Sequence, residues 1–162
     1  MGELYGVANG GDIYKARSLQ YPWAVPPGGF NYNDQLWERG TNPFANQFNV
    51  RHPAVRLIGD QLEIFYSRRF DAPERILMST IDLRRGNFKT WVPSMPPIEI
   101  RRPLLDWEGA HYPVEPSERG KKHCCVNQLR DPYVFDDEDG KSYLLYSAQG
   151  ENSLALALLS RA

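Results

Sequence analysis

Two stretches of the chain share one pattern of apolar and polar positions. The first runs from Val50 to Ser67 and the second from Val126 to Ser147. Each contains an Arg-x-Pro triplet, an apolar run, a polar turn with a glycine, and a second apolar run that ends in Tyr-Ser. Short apolar runs bounded by turn residues are typical of strands. Each stretch therefore predicts an antiparallel hairpin.

The two hairpins open copies of a longer repeat. Arg51-His52-Pro53 aligns with Arg130-Asp131-Pro132, and a third apolar strand follows each hairpin. A shorter, partial copy occupies the N-terminus. The central copy predicts four strands, at 54–58, 61–67, 75–83 and 88–93. Strands joined by short turns form a meander, and meanders packed radially form a β-propeller.

We therefore predict an all-β fold built of four-stranded antiparallel blades, with about two and a half blades in one partial propeller domain spanning 1–162. The units fall near 1–50, 51–105 and 126–162, with an inter-blade insertion at 98–129. So few blades cannot close a ring. Missing blades or a second chain are expected to complete it, since open sheet edges promote aggregation.

Composition narrows the class of protein. The chain has 162 residues, 41% hydrophobic, with 13 Gly and 13 Pro, which favours one domain of short strands. A net charge of −1 predicts neither a nucleic-acid nor a membrane partner. No signal peptide is recognised, and the adjacent Cys124 and Cys125 are expected to stay unbonded because such a bond strains the backbone. A reduced, cytoplasmic setting is expected.

One end of the predicted sheets collects polar side chains. Strand starts, the loops between second and third strands, and the inter-blade loop all lie at that end, where function concentrates. The candidate substrate-binding residues there are Arg51, His52, Arg68, Trp107, His111, Asn127 and Arg130.

Two segments carry a family likeness. "RDPYVF…DGKSYLLYS" resembles the innermost two strands of a blade in the five-bladed propeller glycoside hydrolases, which include arabinanases, β-xylosidases, invertases and levansucrases. "DWEGAHY" resembles the segment that carries their general acid. The resemblance implies hydrolysis or transfer of glycosidic bonds in an oligosaccharide or glycoside substrate. It implies Glu108 as acid, Asp131 as its carboxylate partner, and no cofactor.

Glycoside hydrolysis needs one protonated acid and one ionised carboxylate. Arg130 beside Asp131 is expected to keep that carboxylate ionised. Glu108, flanked by Trp107, is expected to have a pKa raised by desolvation.

A non-catalytic alternative stays open. His52 stands where the preceding blade would carry a carboxylate, which favours a propeller that binds a glycan or a protein without turnover. An inactive truncated fragment is a further alternative. The histidines and cysteines match no compact metal motif, so no metal site is predicted.

Overall fold

The computed structural model describes residues 3–17, 36–45, 49–122 and 124–160. Within these ranges ten β-strands form three antiparallel sheets, and a short 3₁₀ turn spans Asp106–Glu108. The all-β, antiparallel prediction is confirmed. No helix in the described ranges combines the length and apolar character that crossing a membrane requires.

Each sheet follows the order of the chain. The N-terminal sheet contains β1 (Tyr5–Val7), β2 (Ile13–Ala16) and β3 (Trp37–Arg39). The central sheet contains β4 (Val50–Ile58), β5 (Gln61–Arg68), β6 (Ile76–Asp82) and β7 (Ile98–Arg101). The C-terminal sheet contains β8 (Leu129–Asp136), β9 (Ser142–Ala148) and β10 (Ser153–Leu158). Of the sheets described, the central one alone has four strands, and the number of blades stays a prediction.

The predicted fourth strand at 88–93 is wrong. Asn87 and Thr90 close a compact turn there, in which the N–H groups of Thr90 and Trp91 donate to the Asn87 carbonyl at 2.7 and 2.9 Å. The turn buries Trp91 in the core. A buried turn and a buried strand show the same apolar pattern, so periodicity did not separate them. The fourth strand is β7, inside the segment predicted as an insertion.

The central sheet is buried on both faces. Along β5, Ile64 and Tyr66 enter a core shared with the N-terminal sheet, while Phe65 enters a core shared with the C-terminal sheet. This is the alternation that a strand with two packed faces requires. At the inner edge β4 packs against β8 and, more lightly, β1. The strand starts of neighbouring sheets are thereby brought together.

The C-terminal sheet has two apolar faces, of which one is exposed. On β10, Ala155 and Ala157 pack toward the central sheet, while Leu154 and Leu156 are 85% and 61% exposed. We define the outer face as the exposed apolar residues of this sheet: Tyr133, Phe135, Leu145, Leu154, Leu156 and Leu158. Contiguous apolar surface of this kind normally marks an interface.

Candidate functional site

β4 and β8 contain a β-bulge at the same point of the repeat. Between Arg51 and Ala54, β4 has one more residue than the facing segment of β5. Between Arg130 and Tyr133, β8 has one more residue than the facing segment of β9. A proline is tolerated in a bulge because no ladder hydrogen bond is needed from it. The Arg-x-Pro triplet is therefore the sequence signature of a bulge.

The middle residue of each triplet adopts a left-handed backbone. φ is 46° at His52 and 50° at Asp131. Such a conformation costs a non-glycine residue on the order of 1–3 kcal/mol and is concentrated at functional sites. Bulges also redirect side chains out of the pleat. Here the two redirected side chains meet, since Nδ1 of His52 contacts Oδ1 of Asp131.

The His52–Asp131 pair is accessible from solvent. The His52 side chain is 41% exposed and that of Asp131 30%. Burial, followed by the positive charge of Arg51, lowers the pKa of His52, while Glu151 opposes the shift. The folded environment therefore favours the neutral imidazole over the imidazolium. Nδ1 lies against the carboxylate, and in the tautomer that is protonated at Nδ1 the second ring nitrogen, Nε2, is a proton acceptor.

A network of two buried arginines, the buried Glu74 and the partly exposed Glu151 supports the pair. Arg130 is fully buried, and its Nε lies 3.1 Å from Glu74 Oε2, while Nη1 lies 3.2 Å from Glu151 Oε1. Arg51, 3% exposed, lies 3.6 Å from Glu74 and 3.8 Å from Glu151. Each arginine thus contacts a glutamate of its own sheet and one of the neighbouring sheet. We call these four residues the Arg–Glu clamp.

The Arg–Glu clamp was readable from the repeat, although it was not predicted. Glu74 and Glu151 both stand two positions before the third strand of their unit, as Arg51 and Arg130 both open the triplet. Both arginines are buried in this structure, and their predicted role in holding substrate stays a prediction. They position the backbone that carries His52 and Asp131.

Glu108 is a fully buried and fully paired carboxylate. Oε1 accepts from Arg101 Nε at 2.9 Å and from the Tyr146 hydroxyl at 2.6 Å. Oε2 accepts from the backbone N–H groups of Leu104 and Leu105 at 2.9 and 3.0 Å. Burial opposes ionisation, but these hydrogen bonds together outweigh it and lower the pKa of Glu108. The prediction of a raised pKa is wrong.

Glu108 is held by donors that do not give up their protons. Burial and the Glu108 carboxylate raise the pKa of Tyr146 to about 12, and the Arg101 guanidinium stays charged. An ionised carboxylate with both oxygens occupied has no proton to donate. In this conformation Glu108 joins β7, β9 and the 3₁₀ turn, and its predicted role as a general acid finds no support in the geometry.

Two of the remaining candidates are exposed. Trp107 is 48% exposed, and its carbonyl accepts from the Gln149 side chain at 3.2 Å. His111 is exposed, with its ring centroid 4.0 Å from that of Tyr112. Both residues are therefore available to a ligand, and their predicted roles stay predictions.

The other two candidates have internal partners. Asn127 is 5% exposed and donates to the carbonyls of Ala110 and Tyr112 at 3.3 and 3.1 Å. Arg68 pairs with Asp71 at 3.1 Å. Asn127 therefore stabilises the segment between β7 and β8 through internal hydrogen bonds, and Arg68 orders the turn after β5.

The adjacent cysteines are bonded. Cys124 and Cys125 form a disulfide, so the expectation that they stay apart is wrong. Cys125 adopts a left-handed backbone conformation, with a φ of 66°. The argument for a reduced compartment from unbonded thiols falls, and the cytoplasmic location stays a prediction.

No family model matches the chain. The uncharacterized protein R118 of Acanthamoeba polyphaga mimivirus is 40% identical over 112 residues, which are 69% of this chain and 31% of R118. The chain thus spans under a third of the length of this curated relative.

Two solved structures resemble the fold. An α-L-arabinofuranosidase of Clostridium thermocellum matches with a TM-score of 0.45 and 17% identity, over 98% of this chain and 50% of the enzyme. The α-L-arabinanase of Cellvibrio cellulosa, solved with arabinohexaose, matches with a TM-score of 0.45 and 14% identity, over 98% of this chain and 49% of the enzyme. Each match includes nearly all of this chain and about half of the enzyme. Likeness at this level says nothing about the reaction of this chain.

Proposed function

We propose that the chain belongs to a carbohydrate-active, glycoside hydrolase-like protein that acts on a glycosidic bond at the His52–Asp131 pair. One observation carries the proposal: two strained bulges from different sheets aim an imidazole and a carboxylate at each other on an accessible surface. The resemblance of the Arg130–Ser147 stretch to propeller hydrolases supports a sugar as the substrate class.

In this proposal His52 is the proton acceptor. Asp131 holds the Nδ1–H tautomer and stabilises the imidazolium, while Nε2 takes a proton from the attacking hydroxyl or water as its oxygen bonds to the anomeric carbon. The glycosidic C–O bond breaks, and the leaving oxygen takes its proton from solvent. Trp107 offers an exposed indole face against which a sugar ring packs. The Arg–Glu clamp keeps the two bulges in register, so that the pair is preorganised before a ligand arrives.

His52→Gln and Asp131→Asn are each expected to reduce kcat/KM on aryl glycosides by roughly a hundredfold, the usual contribution of a positioned acid–base group. The matched control is Asp137→Asn, which makes the same change in the exposed turn after β8 and leaves turnover unchanged.

Because the pKa of His52 is lowered, wild-type kcat/KM should fall as the pH drops through a value below about 6.5. If kcat/KM stays constant between roughly pH 4 and pH 8, His52 is not the base.

Binding without turnover is the second candidate function. The observation that favours it is the complete pairing of Glu108, which withdraws one carboxylate from acid catalysis. If the wild type binds oligosaccharides but turns over no aryl glycoside, the hydrolytic proposal fails. Asp131→Asn then weakens binding instead.

We also propose that a further antiparallel sheet, from missing blades or a second copy, covers the outer face. The support is continuity: the central sheet is covered on both faces, while the C-terminal sheet is covered on one. The isolated chain should therefore self-associate in light scattering. Leu154→Glu with Leu156→Glu should make it monomeric, whereas Leu104→Glu, at another exposed leucine, should not. A wild type that stays monomeric at high concentration rejects this covering sheet.

A further inference from the structure

Arg69 is a partly buried arginine that forms no ion pair with a carboxylate in the described part of the chain. It follows β5 directly, and its backbone N–H donates to the Asn49 carbonyl at 2.9 Å. Its Nε is buried without a hydrogen-bond partner among the described residues. The neighbouring Arg68 takes the local carboxylate, Asp71. Buried guanidinium N–H groups are ordinarily paired, so an unpaired one calls for an explanation.

The charged groups around Arg69 disfavour its positive charge. Burial, and then the positive charges of Arg51 and Arg119, lower the pKa of Arg69, while Glu74 opposes them. Glu74 is already shared by both arginines of the Arg–Glu clamp. A guanidinium placed against like charges is unfavourable unless an anion neutralises it.

Backbone hydrogen bonds position Arg119 near Arg69. The Phe70 N–H donates to the Ser117 carbonyl and hydroxyl at 3.1 and 2.9 Å, and the Ser117 N–H donates to the Asp71 carbonyl at 3.1 Å. Ser117 is 1% exposed and therefore fixes the inter-blade segment against the loop after β5. Arg119 stands two positions later, exposed, and forms no ion pair with any described residue.

Arg69 lies near the His52–Asp131 pair, and Arg119 is linked to the same end of the sheets through its neighbour Glu118. Arg69 is one of the positive charges that act on His52. Arg51 also donates to the Glu118 carbonyl at 3.5 Å, which ties the residue preceding Arg119 to the base of the site. The end of the sheets that holds the imidazole–carboxylate pair therefore also holds Arg69 and Arg119, and neither guanidinium has an ion-pair partner among the described residues.

We infer that Arg69 and Arg119 form a subsite for an oxyanion on the ligand, so that the site takes an acidic glycan. This inference rests on the proposed function for the sugar to which the oxyanion is attached. A guanidinium fork matches carboxylate, sulfate and phosphate oxygens with charge-assisted hydrogen bonds. The shared chemistry is an oxyanion, from a uronic acid or from a sulfate or phosphate ester.

Isothermal titration of the chain with glucuronic acid and with glucose tests the inference, with sulfate and phosphate as separate arms. Glucuronic acid should bind at least about tenfold more tightly than glucose, and Arg69→Gln and Arg119→Gln should each remove most of that difference. Arg85→Gln, an exposed arginine that pairs with Asp82, is the matched control and should leave it intact. Added salt should weaken binding of the acid but not of glucose.

Thermal unfolding separates a binding role from a structural one. Without ligand, Arg69→Gln should leave the melting temperature unchanged or raise it, because it removes a partly buried guanidinium whose Nε has no hydrogen-bond partner among the described residues. A structural arginine would give a lower melting temperature. Anions should raise the wild-type melting temperature at constant ionic strength but not that of Arg69→Gln.

The outcomes distinguish this inference from the proposed function. Equal affinity for glucuronic acid and glucose, or unchanged affinity in Arg69→Gln, overturns the subsite. Binding of inorganic sulfate or phosphate without any glucuronic acid binding overturns the uronic-acid source and supports the ester. Tight glucuronic acid binding with no turnover of aryl glucuronides supports the subsite and counts against hydrolysis.

Discussion

Arg130→Gln is expected to lower the free energy of unfolding by about 3–5 kcal/mol, the usual cost of removing one partner from a buried ion pair. Arg130 is fully buried and contacts both Glu74 and Glu151. It also donates to the Gly120 carbonyl at 3.1 Å and to the Gln128 side chain. A glutamine replaces few of these contacts and leaves Glu74 as an undercompensated buried charge. Urea denaturation monitored by tryptophan fluorescence measures the difference.

Arg102→Gln is the matched control. Arg102 pairs with Glu99 on the surface, with its side chain 49% exposed, and surface pairs contribute little to stability. Its unfolding midpoint should stay close to that of the wild type. If both variants unfold at the same urea concentration, the Arg–Glu clamp does not hold the central and C-terminal sheets together. If Arg130→Gln alone is destabilised, activity assays on it must be run below its unfolding midpoint.

Glu108→Gln is expected to be destabilised to a similar extent, about 3–5 kcal/mol at neutral pH, because it leaves Arg101 without its buried partner. The amide also directs an N–H₂ group toward groups that donate hydrogen bonds. The matched control is Glu115→Gln, in an exposed part of the same segment, and it should leave the free energy of unfolding unchanged. Denaturation at a series of pH values makes the comparison specific.

The pH dependence follows from the lowered pKa of Glu108. A carboxyl group whose pKa is lower in the folded state stabilises that state above its unfolded pKa, near 4.3, and the stabilisation is lost as the pH falls through the folded value. The stability gap between wild type and Glu108→Gln should therefore narrow in acid. If Glu108→Gln is as stable as the wild type at pH 7 but has no turnover, Glu108 acts in catalysis and not in stabilising the fold.

The repeat predicted the site better than the individual motifs did. Aligning the two Arg-x-Pro triplets placed His52 and Asp131 at equivalent positions, and the structure brings these two side chains into contact. The triplet did not predict a bulge, because the signal for a bulge is the pairing of one strand with another. Glu74 and Glu151 were equally visible in the alignment, but their shared role depends on how two sheets pack.

Glu108 shows what a local motif leaves out. Its neighbour Trp107 suggested desolvation and a raised pKa, and Glu108 is indeed fully buried. Its pKa is instead decided by Arg101 at the end of β7 and Tyr146 in β9, which are distant in sequence. Burial alone predicts the wrong direction when donors arrive from other strands.

In the bulges of β4 and β8, neighbouring residues have different structural roles. Arginine and proline set the backbone, while the residue between them lies outside the regular strand ladder. That residue is therefore under little demand from the fold beyond tolerance of a left-handed φ. Exchanging the side chain at either position should therefore change the chemistry presented at this end of the sheets while leaving the strand pairing intact.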